Sequence, residues 1–289
     1  IPVMYDHPDR KANLDMCIHF LRVHFDTKIA VAEWGTDQHF AYTKDFGAYT
    51  HYKQTGAFHR TRMLNDMAMA ATTPYVFNYD ADVFFDPEQI LACINKLRTG
   101  KASGCYPYDG RFYRVDRQYL YLLENTLHVS DLLHLPYPEK SHTETSYGGA
   151  IAWNKEKFIA LGLENENMIS FGPEDYERFD RAKRLGFFVD RVKGPLFHIN
   201  HYTGPDSSTT NPHFKQNWAE YDKIKTLPDN RLTEYVESWP WRKAAIETLS
   251  IKPAPNSPYD EKFYQEINES ALRSADVILP ILRQAAPFK

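Results

Sequence analysis

The chain has 289 residues, 43% of them hydrophobic and 25% charged, with 38 acidic against 34 basic side chains and a formal net charge of −4. That length holds one large core or two modest ones, and the composition is that of an ordinary globular protein. The balance of charge excludes the basic footprint of a nucleic-acid or anionic-membrane binder, and no apolar run reaches the roughly 18 residues of a membrane span.

The first residues, IPVM, read as the end of a β-strand, and Ile1 is not an initiator methionine. The expectation is therefore a chain trimmed at this end, with room for an anchor upstream. In DRKANLDMCIHFLRVHF, Leu14, Cys17, Ile18, Leu21 and Phe25 recur at helical spacing. KIAVAEWG (28–35) reads as a strand closed by Gly35, HRTRMLNDMAMAA (59–71) as a helix ended before Pro74, and YVFNY as a buried strand. At Asp86-Pro87-Glu88-Gln89 a helix begins, with Asp86 as cap, Pro87 in the first turn and Gln89 placed to close a capping box. Alternation of strand and helix up to Gly100 predicts a parallel sheet with helices packed on it.

From residue 101 the pattern loosens through YPYDGRFYRV, a short helix over 116–125 and a polar stretch to 146. YGGAIAW is a strand opened by two glycines, Asn154 caps a helix stopping at Gly162, and PEDYERFDRAKRLG (173–186) is a further helix. FFVDRV and PLFHI are short strands, and beyond about 205 the chain turns polar and helical, with a linker-like KPAPNSP at 252–258. The three cysteines, Cys17, Cys93 and Cys105, are odd in number and far apart, which reads as reduced thiols in a reducing, cytoplasmic compartment.

Four stretches carry chemistry. After the YVFNY strand come Asp80 and Asp82; on an extended chain residues i and i+2 face one side, and strand ends are where open α/β sheets hold ligands. Two such carboxylates repel unless a cation such as Mg²⁺ or Mn²⁺ neutralises them; the plain alternative is one capping a turn and one solvated. In FHINHYTG, His198 and His201 are an imidazole pair directly after a short strand, suited to a borderline metal, although a lone histidine is more often structural. Glu174 and Asp175 open a helix, where acidic residues favour the helix dipole or, at a site mouth, serve as a general base. Gly148 and Gly149, after Tyr147, permit a tight bend or a close backbone approach to a ligand.

Together and in order, AFHRTRMLN, DAD, YGGAIAW, FGPED and HINH resemble the β-1,4-galactosyltransferase type of GT-A glycosyltransferase and related bacterial polysaccharide glycosyltransferases. The resemblance covers about residues 1–205. It implies an α/β GT-A fold with a mainly parallel central sheet flanked by helices, its nucleotide-binding part at 1–100 and acceptor part at 101–205, followed by a helical extension over 206–289. It further implies an inverting transfer of a sugar, by analogy galactose or N-acetylgalactosamine, from a UDP-sugar to a hydroxyl of an oligosaccharide or glycan acceptor. By the resemblance, Asp82, His201 and His198 hold Mn²⁺ or Mg²⁺, and Asp80 lies beside the donor's ribose and sugar. Arg60, with Pro2 and Val3 of the first strand, contacts the nucleotide. Gly148 and Gly149 flank the donor sugar, Asp175 is the base, and Glu174 lies near the hydroxyls. Phe171 stands where the family has Trp, Pro173 where it has a second Gly, and Met4, Tyr5 and Asp6 where basic residues often follow the first strand. Glu33, ending the second strand, is the candidate for a base or ribose contact.

The tail SPYDEKFYQEINESALRSADVILPILRQAAPFK (257–289) resembles the helical lead-in of S-adenosylmethionine-dependent methyltransferases, implying a fused downstream domain; a plain amphipathic helix is the alternative. Three other readings of the chemistry remain: a metal-dependent phosphoesterase, a nucleotidyltransferase, and a carbohydrate-binding protein without catalysis. The first lacks obvious ligands for two metals, the second a glycine- and basic-rich loop after the first strand, and the third has no need of metal and base together.

Overall fold

The computed structural model describes residues 1–40, 47–135, 142–143 and 145–250. The chain forms a mixed α/β unit spanning Ile1–Ile246. A second unit, Glu247–Lys289, falls almost wholly outside the described residues, as does the tail segment compared above with a methyltransferase lead-in.

The first half alternates as its patterning predicts. Strand β1 (Pro2–Met4) leads to helix α1 (Pro8–His24), then come β2 (Ala30–Gly35), β3 (Ala48–Lys53), helix α2 (Arg60–Ala70) and β4 (Tyr75–Tyr79). Helix α1 starts with Pro8 in its first turn and the His7 ring accepting from the Asp9 amide at 3.2 Å, and it buries Leu14, Cys17, Ile18 and Leu21. Strands β1, β2 and β3 pair in parallel, with Val3 opposite Glu33 and Glu33 opposite His51. The β3 strand carried no signal strong enough to be read, because AYTHYK is half polar and exposed along one face.

A short strand β5 (Val83–Phe84) precedes α3 (Pro87–Arg98). Asp86 caps α3 by accepting from the Glu88 amide at 2.9 Å, but Gln89 does not close a capping box. Its side-chain amide instead donates to the Pro107 and Pro195 carbonyls at 2.6 and 3.1 Å, tying the helix to two loops. The stretch after residue 101 conceals strands β6 (Gly104–Tyr106), β7 (Phe112–Val115) and β8 (His142–Thr143), while the short helix read over 116–125 forms as a 3₁₀ turn followed by helix α4 (Leu120–Thr126). Next come β9 (Ala150–Asn154), α5 (Lys155–Leu161), α6 (Glu174–Arg184), β10 (Val189–Arg191) and β11 (Leu196–Ile199).

Parallel pairing holds throughout the sheet of the first three strands, and the other two sheets mix directions. One sheet runs β10-β6-β9-β4 and another β5-β11-β7-β8, each mixing parallel and antiparallel pairs. Helices α7 (Phe214–Thr226), α8 (Asp229–Ser238) and α9 (Pro240–Ser250) follow. The compact unit extends well past residue 205, because α7 buries Asn217, whose amide donates to the Ile169 and Phe171 carbonyls at 2.8 and 3.2 Å. All three cysteines are buried free thiols, and no helix among the described residues is long and apolar enough to cross a membrane.

Candidate active site

Strand pairing builds the first cluster. Strand β11 runs antiparallel to β5 with His198 opposite Val83, and the Ile199 amide donates to the Asp82 carbonyl at 2.8 Å. That register brings two histidines more than a hundred residues downstream to Asp82. His201 Nε2 lies 3.0 Å and His198 Nε2 3.6 Å from Asp82 Oδ2, and ligand atoms of all three residues fall within 4.8 Å of one another. The three side chains are only 9–15% exposed. Burial pushes the Asp82 carboxyl up, but His198 and His201 overcome it and hold the group well below the usual carboxylate range. His198 Nδ1 is buried without a hydrogen-bond partner among the described residues. One carboxylate and two imidazoles form a donor set suited to a single divalent transition ion.

The extended geometry expected of Asp80 and Asp82 is not what forms. Residues 81 and 82 make a turn after β4, and the two carboxylates take different partners. Asp80 Oδ1 instead accepts from Arg60 Nε and Nη2 at 3.1 and 2.8 Å. Burial raises the Asp80 pKa, with Arg60 opposing the shift and Asp82 adding to it. The backbone of Asp80 is fixed as well, since its amide donates to the Gly149 carbonyl at 2.8 Å. Gly149 sits at φ +89°, and a Cβ there would come within 2.4 Å of Leu196 Cδ1. Gly149 thus lets the backbone that anchors Asp80 lie directly against β11.

Arg60 joins this cluster to a second. Its Nη1 points towards Asp175 Oδ1 at 3.8 Å and Glu174 Oε1 at 3.9 Å, yet that nitrogen makes no hydrogen bond among the described residues. Asp175 Oδ1 also faces Arg178 Nη2 at 2.9 Å, and Arg178 Nη1 donates to Glu164 at 2.9 Å. Glu164 in turn accepts from Asn78 at 2.6 Å. The other oxygen of Asp175 hangs over the backbone of Gly148, where a Cβ would approach it to 2.9 Å. Glu174 is buried, with Oε2 unpartnered among the described residues; burial, and then repulsion by Asp175, lift its pKa to about 8. A neutral carboxylic acid therefore stands beside Asp175 at neutral pH.

Two expected contacts are placed differently. Glu33 is fully buried and accepts from the His39 and Phe40 amides at 2.8 and 3.3 Å and from the Tyr49 hydroxyl. Its carboxylate braces the loop after β2 and is not presented to a base or ribose. Pro2 and Val3 are buried inside β1, so the surface at that strand's end belongs to Met4, Tyr5 and Asp6.

Three further residues of the site had gone unread. Arg10, in the first turn of α1, lies 2.9 Å from His201 Nε2 and 3.6 Å from Asp82 Oδ2. Its only sequence signal is position, just beyond the first strand of an α/β unit. Arg178 is three residues after Asp175, the helical spacing for an ion pair. Glu164 had no local signal, since it reaches Arg178 only through the fold.

No family model matches the chain, and no curated protein does. Among solved structures it is similar to GalNAc-T7 bound to UDP, GalNAc and Mn²⁺, at 13% identity and TM-score 0.49, over 90% of this chain and 59% of that one. It is also similar to the catalytic domain of Drosophila β1,4-galactosyltransferase 7 in complex with xylobiose, at 16% identity and TM-score 0.37, over 66% and 61% of the two chains. A further similar structure is glucosyl-3-phosphoglycerate synthase from Mycobacterium tuberculosis with Mn²⁺, UDP-glucose and phosphoglyceric acid, at 17% identity and TM-score 0.40, over 72% and 74%. The chain thus spans about 59–61% of the length of the first two.

Proposed function

We propose that the chain is a GT-A glycosyltransferase that moves a sugar from a UDP-sugar to a carbohydrate hydroxyl with inversion, using one divalent ion. The observation that carries this reading is the chain of contacts from Asp82, through the DAD turn and Arg60, to Asp175. A metal-ligand cluster and a basic carboxylate thereby stand at the two ends of one connected site.

Asp82, His198 and His201 are the residues that would hold the ion, which when bound neutralises the leaving diphosphate. Asp80 would face the ribose and donor sugar, with Arg60 holding its orientation and offering Nη1 to the substrate. Gly148 would let the sugar approach the backbone directly under Asp175. Asp175 accepts the proton of the attacking hydroxyl through the oxygen above Gly148, while Arg178 and Arg60 keep the other oxygen in place. Glu174, protonated at neutral pH, can donate a hydrogen bond where a second carboxylate would repel the diphosphate. A single displacement needs no enzyme nucleophile. Galactose and N-acetylgalactosamine are the donor sugars that the motif resemblance favours.

The test is donor hydrolysis across a panel of UDP- and GDP-sugars, with Mn²⁺, with Mg²⁺ and in excess chelator. UDP-sugar turnover that needs the ion is expected. Undiminished turnover in chelator contradicts the metal, and hydrolysis of simple phosphomonoesters but no nucleotide sugar would favour a phosphoesterase instead.

A further inference from the structure

The backbone under Asp175 is held largely by side chains. Strand β9 pairs with β4 from Ala150 onward and with β6 from Ala152 onward, so Ser146, Tyr147 and Gly148 lie beyond both ladders. A carbonyl kept from water needs another partner, and all three have one. The Ser146 carbonyl accepts from Arg191 Nη2 at 2.8 Å, that of Tyr147 from Arg178 Nη2 at 3.2 Å, and that of Gly148 from the Tyr108 hydroxyl at 2.6 Å. Side chains from three distant stretches thus stand in for a neighbouring strand.

Arg178 also braces Asp175, so the carboxylate and this backbone share one mount. Arg191, in β10, touches neither the metal ligands nor Asp175, and its whole surroundings belong to the backbone support. Its Cζ lies 4.5, 5.4 and 4.8 Å from the ring centres of Tyr106, Tyr108 and Tyr147, and its Nη1 lies 3.5 Å from the Tyr108 carbonyl. A planar guanidinium can lie against aromatic faces while its edge donates to carbonyls, a combination that a lysine ammonium does not reproduce. Arg191 therefore locks the Tyr108 ring, whose hydroxyl carries Gly148, to Ser146 and Tyr147 of the segment itself. The position of that segment matters, because a Cβ on Gly148 would come within 2.9 Å of Asp175 Oδ2.

We propose that Arg191 is a positioning residue that, through Ser146 and the Tyr108 hydroxyl, fixes the Tyr147-Gly148 backbone at the height where a donor sugar resting on it meets Asp175. This rests on the glycosyltransferase reading above. The sugar end of the donor depends on Arg191, and the nucleotide end does not, since Arg191 has no contact with the metal cluster.

The test compares UDP with an intact UDP-sugar at saturating Mn²⁺, using the UDP-sugar that wild type hydrolyses fastest. The proteins are wild type, Arg191→Met, Arg191→Lys, Tyr108→Phe and the double variant Arg191→Met/Tyr108→Phe, each first checked for native circular dichroism. Arg191→Met should keep the calorimetric Kd of UDP within about twofold of wild type and lower kcat/KM for the UDP-sugar at least about tenfold, as a displacement of about 1 Å in a site can. Arg191→Lys should recover only part of that loss. Tyr108→Phe removes a single oxygen, should show the same split between UDP and UDP-sugar, and serves if the Met variant fails to fold. The double variant should lose less than the product of the two single losses, because both act through one backbone segment. Equal weakening of UDP and UDP-sugar would make Arg191 a general support and overturn the proposal, as would an unchanged kcat/KM. If wild type turns over no UDP-sugar under any condition, the glycosyltransferase reading itself falls and takes this inference with it.

Discussion

Replacing Glu174 by Gln isolates the buried acid beside the proposed base. Glu174 is 8% exposed, and its pKa rises from an ordinary 4.5 to about 8, first through burial and second through the Asp175 charge. Because the folded chain holds this proton more tightly than the unfolded chain, the contribution is fully present below pH 4.5. It is lost as pH rises and is gone above about 8. Each pH unit in that window removes about 1.4 kcal/mol, or roughly 3–5 kcal/mol across it once the share owed to Asp175 is allowed for. Glu174→Gln keeps the shape and stays neutral, so it escapes the loss. Urea denaturation of both proteins in chelator, at half-unit steps from pH 4.5 to 8.5, reads the difference directly, since titrating groups that do not face Glu174 cancel to first order. The variant should match wild type within about 1 kcal/mol at the acid end and exceed it by several at the alkaline end. Parallel curves would refute the raised pKa and with it the neutral acid in the site.

Asp175→Asn should leave UDP binding within about threefold of wild type while lowering kcat by at least about a hundredfold, the usual scale for a general base; steady-state kinetics and calorimetry separate the two, and near-native kcat would require another base. Arg178→Met strands Glu164, whose side chain is fully buried, and should cost about 3–5 kcal/mol in denaturant unfolding. Gly149→Ala forces a Cβ against Leu196 at positive φ and should cost about 2–4 kcal/mol, measured the same way.

What could be read in the sequence followed from local rules. Helix α1, the Asp86 and Asn154 caps and strand β4 are set by spacing and by neighbouring residues, so they emerged nearly where the chain places them. The grouping of Asp82 with His198 and His201 came from the resemblance, which links DAD to HINH; position alone said only that each motif follows a strand, where ligands gather. Strands β6, β7 and β8 escaped because they are short and of mixed polarity, their stability coming from partners far along the chain. The same reason hid the fates of Glu33 and Gln89. Each looks like a polar side chain free for a ligand or a cap, and each is consumed by backbone groups that only the tertiary fold delivers. Asp80 and Asp82 take different partners where a turn replaces the extended chain that spacing alone assumes.

The central claim is that Asp82, His198 and His201 grip one ion. Calorimetric titration of Mn²⁺ in the presence of saturating UDP tests it most directly, comparing wild type with Asp82→Asn and His201→Ala. A single site per chain in wild type, weakened at least about tenfold by either substitution, is the predicted result; equal affinity in all three proteins would contradict it.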